Sequence, residues 1–246
     1  MKKLIMMSAV MLCGALFAEG EALTSKNIVG YTSTEVEGGK YYLIASQFQN
    51  TDSSDIFLED FVSSSDMKGG EVCEPDTCPV LQLWDGDEYE HYYFLEEDIM
   101  GEKRVWSKSL CFAVPPKEVR VNLGVGAFIQ TVNDCTITVA GQVASKDAYA
   151  IPVFPDSFNL ICNPFPMSFD LNDEKLNFGE FLVGEDGFNG PNIKVWDGDD
   201  YRDFYYVSGK YWSTDGVEKS DDAIIKPCQG FFFKYSGEEA ELIFKR

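Results

Sequence analysis

The chain has 246 residues, 45% hydrophobic and 14% aromatic, with 41 acidic against 20 basic side chains and a formal net charge of −21. That apolar content excludes a generally disordered chain and suffices for one large all-β domain or two small ones. The acid excess repels phosphate backbones and anionic membranes; it serves solubility first, and then suits cations, basic partners or neutral ligands such as glycans.

The chain opens "MKKLIMMSAVMLCGALFAEGEA". Lys2 and Lys3 precede an apolar run over 4–17, and Ala18 or Ala22 offers a small-residue end to it. This is the layout of a secretory signal peptide over 1–22, too short to favour a spanning helix. Cys13 follows Leu12, where a lipoprotein signal normally has a small residue, so no lipid anchor is expected. No later run is long and apolar enough for a membrane helix. The expectation is an exported protein in the periplasm, on the outer surface or outside the cell, with no membrane insertion. Beyond the signal lie Cys73, Cys78, Cys111, Cys135, Cys162 and Cys228. An even count in an exported chain favours disulfides, and Cys73 and Cys78 frame the short loop "CEPDTC", a bridge candidate. Zinc wants closely spaced Cys or His pairs, whereas the chain has one histidine and no Cys-x-x-Cys.

Similar blocks then recur in the same order. "YYLIASQF" (41–48) matches "FNLICNPF" (158–165), and "FLEDFV" (57–62) resembles "NFGEFL" (177–182). "LQLWDGDEYEHYYF" (81–94) matches "IKVWDGDDYRDFYYV" (193–207), and "VWSK" (105–108) matches "YWST" (211–214). "GVGAFIQTVNDCTITV" (124–139) matches "CQGFFFKYSGEEAELIF" (228–244). A repeat of this length predicts duplicated units, 23–140 and 141–246, rather than a short-period solenoid. The runs are rich in aromatic and branched residues, and turn residues separate them ("DGD", "VSGK", "YSGEE"). Helical candidates are confined to short turns near "DIFLEDF" and "LNFGEFL". The predicted fold is all-β: two tandem homologous antiparallel β-sandwich or barrel-like units with short hairpins.

Each Trp-Asp-Gly block reads as a hairpin whose Trp and Tyr flank a four-residue loop, Asp85 to Glu88 in the first copy. Alternation puts Gln82, Trp84, Tyr89, His91 and Tyr93 on one face, and Lys194, Trp196, Tyr201, Asp203 and Tyr205 on its counterpart. The opposite faces hold Leu81, Leu83, Tyr92 and Phe94, and Ile193, Val195, Phe204 and Tyr206; being apolar, they should be core. Trp84, Tyr89, Tyr93, Trp196, Tyr201 and Tyr205 are therefore candidate ligand contacts, since amphipathic aromatics beside polar groups suit sugar rings. The plainer reading is that each Trp–Tyr pair staples its hairpin or packs against the sister unit.

Asp85, Asp87, Asp197 and Asp199 put several oxygens on these loops, a weak calcium candidate. An EF-hand loop needs Gly at position six, where these loops have Glu90 and Arg202, so only an irregular oxygen cage would serve. Asp and Gly are also what tight turns use. No other cofactor is indicated. A histidine-based catalytic site would rest on His91 alone. Paired carboxylates keep a glycosidase-like extracellular hydrolase as the alternative.

"NIVGY", "GGKYYLIASQF", "FNLICNPF", the Trp-Asp-Gly hairpins and "GFFF" together resemble uncharacterised exported, internally repeated β-proteins of environmental and gut bacteria. The resemblance implies no activity and no site residues. The first unit departs from the Asn-x-Ile-x-Asn-Pro-Phe pattern at "LIASQF", so its function need not equal that of the second. The expected function is a non-catalytic binding or cell-envelope structural protein, contacting glycans or an envelope or extracellular protein through the aromatic-polar face.

Overall fold

The computed structural model describes residues 29–246, except 51–54, 63, 86–87, 98–100, 102, 111–118, 174–175, 178–189, 197–199, 208–209, 228 and 239. The expected signal segment 1–22 and Cys111 and Cys228 lie outside the described residues.

In chain order the strands are β1 (Val29–Val36), β2 (Tyr41–Ala45), β3 (Phe48–Gln49), β4 (Asp55–Phe57), β5 (Val80–Trp84), β6 (Tyr89–Glu97), β7 (Lys103–Ser107), β8 (Arg120–Asn122), β9 (Gly126–Gln130) and β10 (Cys135–Val143). They continue with β11 (Ala148–Val153), β12 (Asn159–Cys162), β13 (Phe169–Asp170), β14 (Leu176–Asn177), β15 (Asn192–Trp196), β16 (Tyr201–Val207), β17 (Tyr211–Ser213), β18 (Ile224–Ile225), β19 (Gly230–Lys234) and β20 (Ala240–Lys245). A four-residue helical turn, α1 (Leu58–Phe61), forms within "DIFLEDF", and a 3₁₀ turn spans Pro75–Thr77. Among the described residues no helix is long and apolar enough to cross a membrane.

The fold is all-β, with antiparallel pairing in every sheet and no closed sheet among the described residues. Five-stranded sheets run β2-β9-β5-β6-β7 and β12-β19-β15-β16-β17, the same order at corresponding points of the chain. Three-stranded sheets, β1-β10-β3 and β11-β20-β14, cover one face of each. Strand β10 continues through 140–141 and ends at Val143.

Each core lies between a five-stranded and a three-stranded sheet. Leu81, Tyr92, Phe94 and Ile129 meet Val36, Ile137 and Val139 in one; Ile193, Val195, Phe204 and Phe233 meet Ile151, Leu242 and Phe244 in the other. Trp106 and Trp212 are both buried, and their cross-strand partners, Phe94 and Tyr206, occupy matching positions. Alternation explains the pattern, because side chains two residues apart share a face.

The Cys73–Cys78 bridge is not formed: no disulfide lies at bonding distance among the described cysteines. The 3₁₀ turn between them turns Cys78 inward, where its thiol donates to the carbonyls of Glu74 at 3.3 Å and Glu71 at 3.6 Å. Cys73 has a positive φ of 67° and is exposed. A short spacing in sequence does not by itself point two sulfurs at one another.

Candidate functional site

Both hairpins form in the expected register, with Trp84 opposite Tyr89 and Trp196 opposite Tyr201. In the first loop the Asp85 N–H donates to the Glu88 carbonyl at 3.2 Å, and the Glu88 N–H returns a bond to Asp85 Oδ1 at 2.9 Å. Asp85 thus closes a turn, as Asp commonly does. The other calcium candidates, Asp87, Asp197 and Asp199, lie outside the described residues; among the described ones no three acidic, Cys or His groups gather.

The Trp–Tyr pairs lie on the faces opposite the two cores, as alternation predicts: Trp84, Tyr89 and Trp196 are partly buried and Tyr201 is exposed. What covers them is the other half of the chain. Phe128 and Leu160, with Phe232, form a further buried cluster, against which Leu43, Trp84, Tyr89, Phe158 and Trp196 pack. The rings make a continuous run: Trp84 to Tyr89 at 4.8 Å, Tyr89 to Phe128 at 6.1 Å, Phe128 to Phe232 at 5.8 Å, Phe232 to Tyr201 at 6.0 Å and Tyr201 to Trp196 at 4.9 Å. These spacings suit edge-to-face and tilted aromatic packing.

Two glycines let the halves approach. A methyl group at Gly230 would stand 2.9 Å from Leu43 Cγ, and one at Gly126 would stand 3.0 Å from Leu160 Cγ. Polar links fasten the junction. The Cys162 N–H donates to the Gly124 carbonyl at 2.8 Å, and the fully buried Gln47 donates through Nε2 to the carbonyls of Asn163 at 2.8 Å and Phe165 at 3.2 Å. Trp196 Nε1 donates to the Tyr41 carbonyl at 3.0 Å.

The packing leaves two hollows beside the ring run. One, of about 340 Å³, is lined by Tyr41, Gln82, Tyr89, Phe128, Trp196 and Tyr201. The other, of about 390 Å³, is lined by Phe158, Lys194, Tyr201, Phe232, Trp84 and Tyr89. Exchanging the halves turns one set into the other, position by position. Tyr41 answers to Phe158, because Leu43 and Leu160, two residues on, both pair with the central Phe128 or Phe232. Gln82 answers to Lys194 through the same two phenylalanines. Each hollow is thus floored mainly by one half and walled by the other half's Trp and by both hairpin tyrosines.

The polar group differs. Gln82 is neutral and sits opposite His91, whereas Lys194 is ion-paired with Asp203 at 2.6 Å. Burial, and then the neighbouring Tyr201, push the Tyr89 phenol up to about 12; burial also raises Tyr201. Both phenols therefore keep their protons, and their donor capacity, at ordinary pH.

Of the six aromatic candidates, Trp84, Tyr89, Trp196 and Tyr201 line these hollows. Tyr93 lines an adjoining cleft with His91, and Tyr205 lies opposite Asn192 and Ser213, outside the linings of both hollows. Tyr41, Phe128, Phe158 and Phe232 are additions that the sequence reading missed. Their signal was present: corresponding strands of the two halves carry aromatics at matching alternate positions. In comparisons with family models, curated proteins and solved structures, nothing matches the chain.

Proposed function

We propose that this is an exported, non-catalytic binding protein made of two tandem homologous β-units, 23–140 and 141–246, which takes neutral glycans in its two aromatic hollows. The observation that carries the reading is the exchange of the linings: among the described residues, two amphipathic hollows, each open to solvent, arise from one arrangement of aromatic rings plus Gln82 or Lys194. Sugar rings offer apolar C–H faces and polar edges, and a site of this composition complements both. The net charge of −21 disfavours polyanionic ligands and leaves neutral glycans as the better fit. The matching order of sequence blocks and strands supports descent of the two units from one. Among the described residues no carboxylate lines either hollow, and the glycosidase alternative requires two flanking the scissile bond.

The test is a panel of neutral glycans presented to the mature protein, with tryptophan fluorescence as a second readout. Binding with a spectral shift that Trp84→Phe and Trp196→Phe each halve is expected. A panel with no bound glycan refutes the reading, and glycan cleavage would favour the hydrolase.

A further inference from the structure

We infer that the first hollow continues into the cleft beside His91, so that the first unit binds a run of several sugars where the second binds a shorter one. The inference rests on the glycan reading of the hollows and specifies their ligand.

The cleft, of about 520 Å³, shares Tyr41 and Gln82 with the first hollow. Strand register shows how they join. One row across the sheet runs Leu43, Phe128, Gln82, His91; the next runs Tyr41, Gln130, Val80, Tyr93. Trp84 and Tyr89 stand one row to the other side of Gln82. From the Trp84–Tyr89 row to the Val80–Tyr93 row is four residues, about 13 Å at the usual rise per residue. The surface changes character along that path. Its hollow end is aromatic, walled by Trp196 and Tyr201. Its far end carries the amides of Gln82 and Gln130, the exposed His91 ring and the Tyr93 phenol, with the Pro75–Thr77 turn as a side wall. Gln130 is held in place by donating to the Gly39 carbonyl at 2.9 Å.

Among the described residues Asp76 is the one Asp, Glu, Lys or Arg side chain lining the cleft, and no lysine or arginine there meets a phosphate or sulfate. Stacking rings followed by amides and a phenol suit a neutral chain of pyranoses with equatorial hydroxyls, whose flat faces stack while their edges take hydrogen bonds. In the second unit the places of Gln82 and His91 are taken by the Lys194–Asp203 ion pair, and Lys234 covers the Phe158 ring at 5.2 Å. A chain extending that way would have to displace paired charges.

The probes are cellobiose and cellohexaose, titrated into the mature protein and its His91→Ala and Tyr93→Phe variants, with thermal melts checking the fold. The wild type should bind the hexaose about tenfold or more tightly than the biose, a difference of ~1.4 kcal/mol. Each variant should weaken hexaose binding about fivefold, as expected for one net hydrogen bond, and leave biose binding unchanged. Equal hexaose binding by wild type and both variants overturns the inference, as does a wild type indifferent to chain length. Binding of neither cello-oligomer while another neutral glycan binds also overturns it, and the glycan reading stands. No binding by any neutral glycan overturns both.

Discussion

Replacing Gly230 by Ala tests the junction between the halves directly. The added methyl would lie 2.9 Å from Leu43 Cγ and 3.3 Å from both Leu43 methyls. Carbon atoms prefer about 3.5–4.0 Å, and overpacking of this kind costs roughly 1–3 kcal/mol. An opposing effect is smaller: Ala in a strand is favoured over Gly by about 0.5–1 kcal/mol through chain entropy. The net expectation for G230A is a loss of about 1–2 kcal/mol, read from urea unfolding as a lower midpoint at unchanged slope. In a Leu43→Ala background the clash disappears and only the entropy difference remains. G230A should then be neutral or stabilising by up to about 0.5–1 kcal/mol. The sign reversal is the signature, because Leu43 and Gly230 belong to different halves. Losses that add within about 0.5 kcal/mol would refute the packing described here.

Three further outcomes follow from the same geometry. Phe204→Ala, which empties a fully buried site, should cost about 3–5 kcal/mol, and Trp196→Ala clearly less, because the indole is only half-buried; chemical denaturation ranks them. Gln47→Leu removes the donor to the Asn163 and Phe165 carbonyls, with an expected loss of about 1–3 kcal/mol in the same assay. For Tyr89 the folded pKa is raised from 10.0 to about 12, so the neutral phenol's contribution is complete below pH 10.0 and is lost as the pH rises towards 12. Stability measured across that window should fall less steeply in Tyr89→Phe, and phenolate absorbance should show one tyrosine fewer titrating late.

Much of this fold can be read from alternation. The turn chemistry of Trp-Asp-Gly-Asp sets the hairpin register, and register alone decides that Leu81 and Ile193 face the cores while Trp84 and Trp196 do not. Alternation says which side a residue is on, not what lies against that side. Gln82 and Lys194 suggest a wet face, yet the aromatic end of that face is covered by the other half. Gln47 shows the same gap. Where the second half has Asn163 and Pro164, the first has Ser46 and Gln47 at the corresponding place; the difference makes sense once Gln47 is seen bonded to the Asn163 and Phe165 carbonyls. The cysteine spacing misleads for a local reason, because the Pro75–Thr77 turn hides one sulfur and exposes the other residue.

The crossed walls have a consequence for anyone dividing the molecule. Tyr89 and Tyr201 each serve both hollows, and each hollow takes its tryptophan from the half opposite its floor. A proteolytic fragment or expressed single half would therefore keep no complete hollow, rather than one of two. Joining both halves in one polypeptide also breaks a constraint that a symmetric homodimer would impose. In such a dimer, positions 82 and 194 would be the same residue. Here one is glutamine and the other lysine, and each hollow can change its polar group without altering its twin.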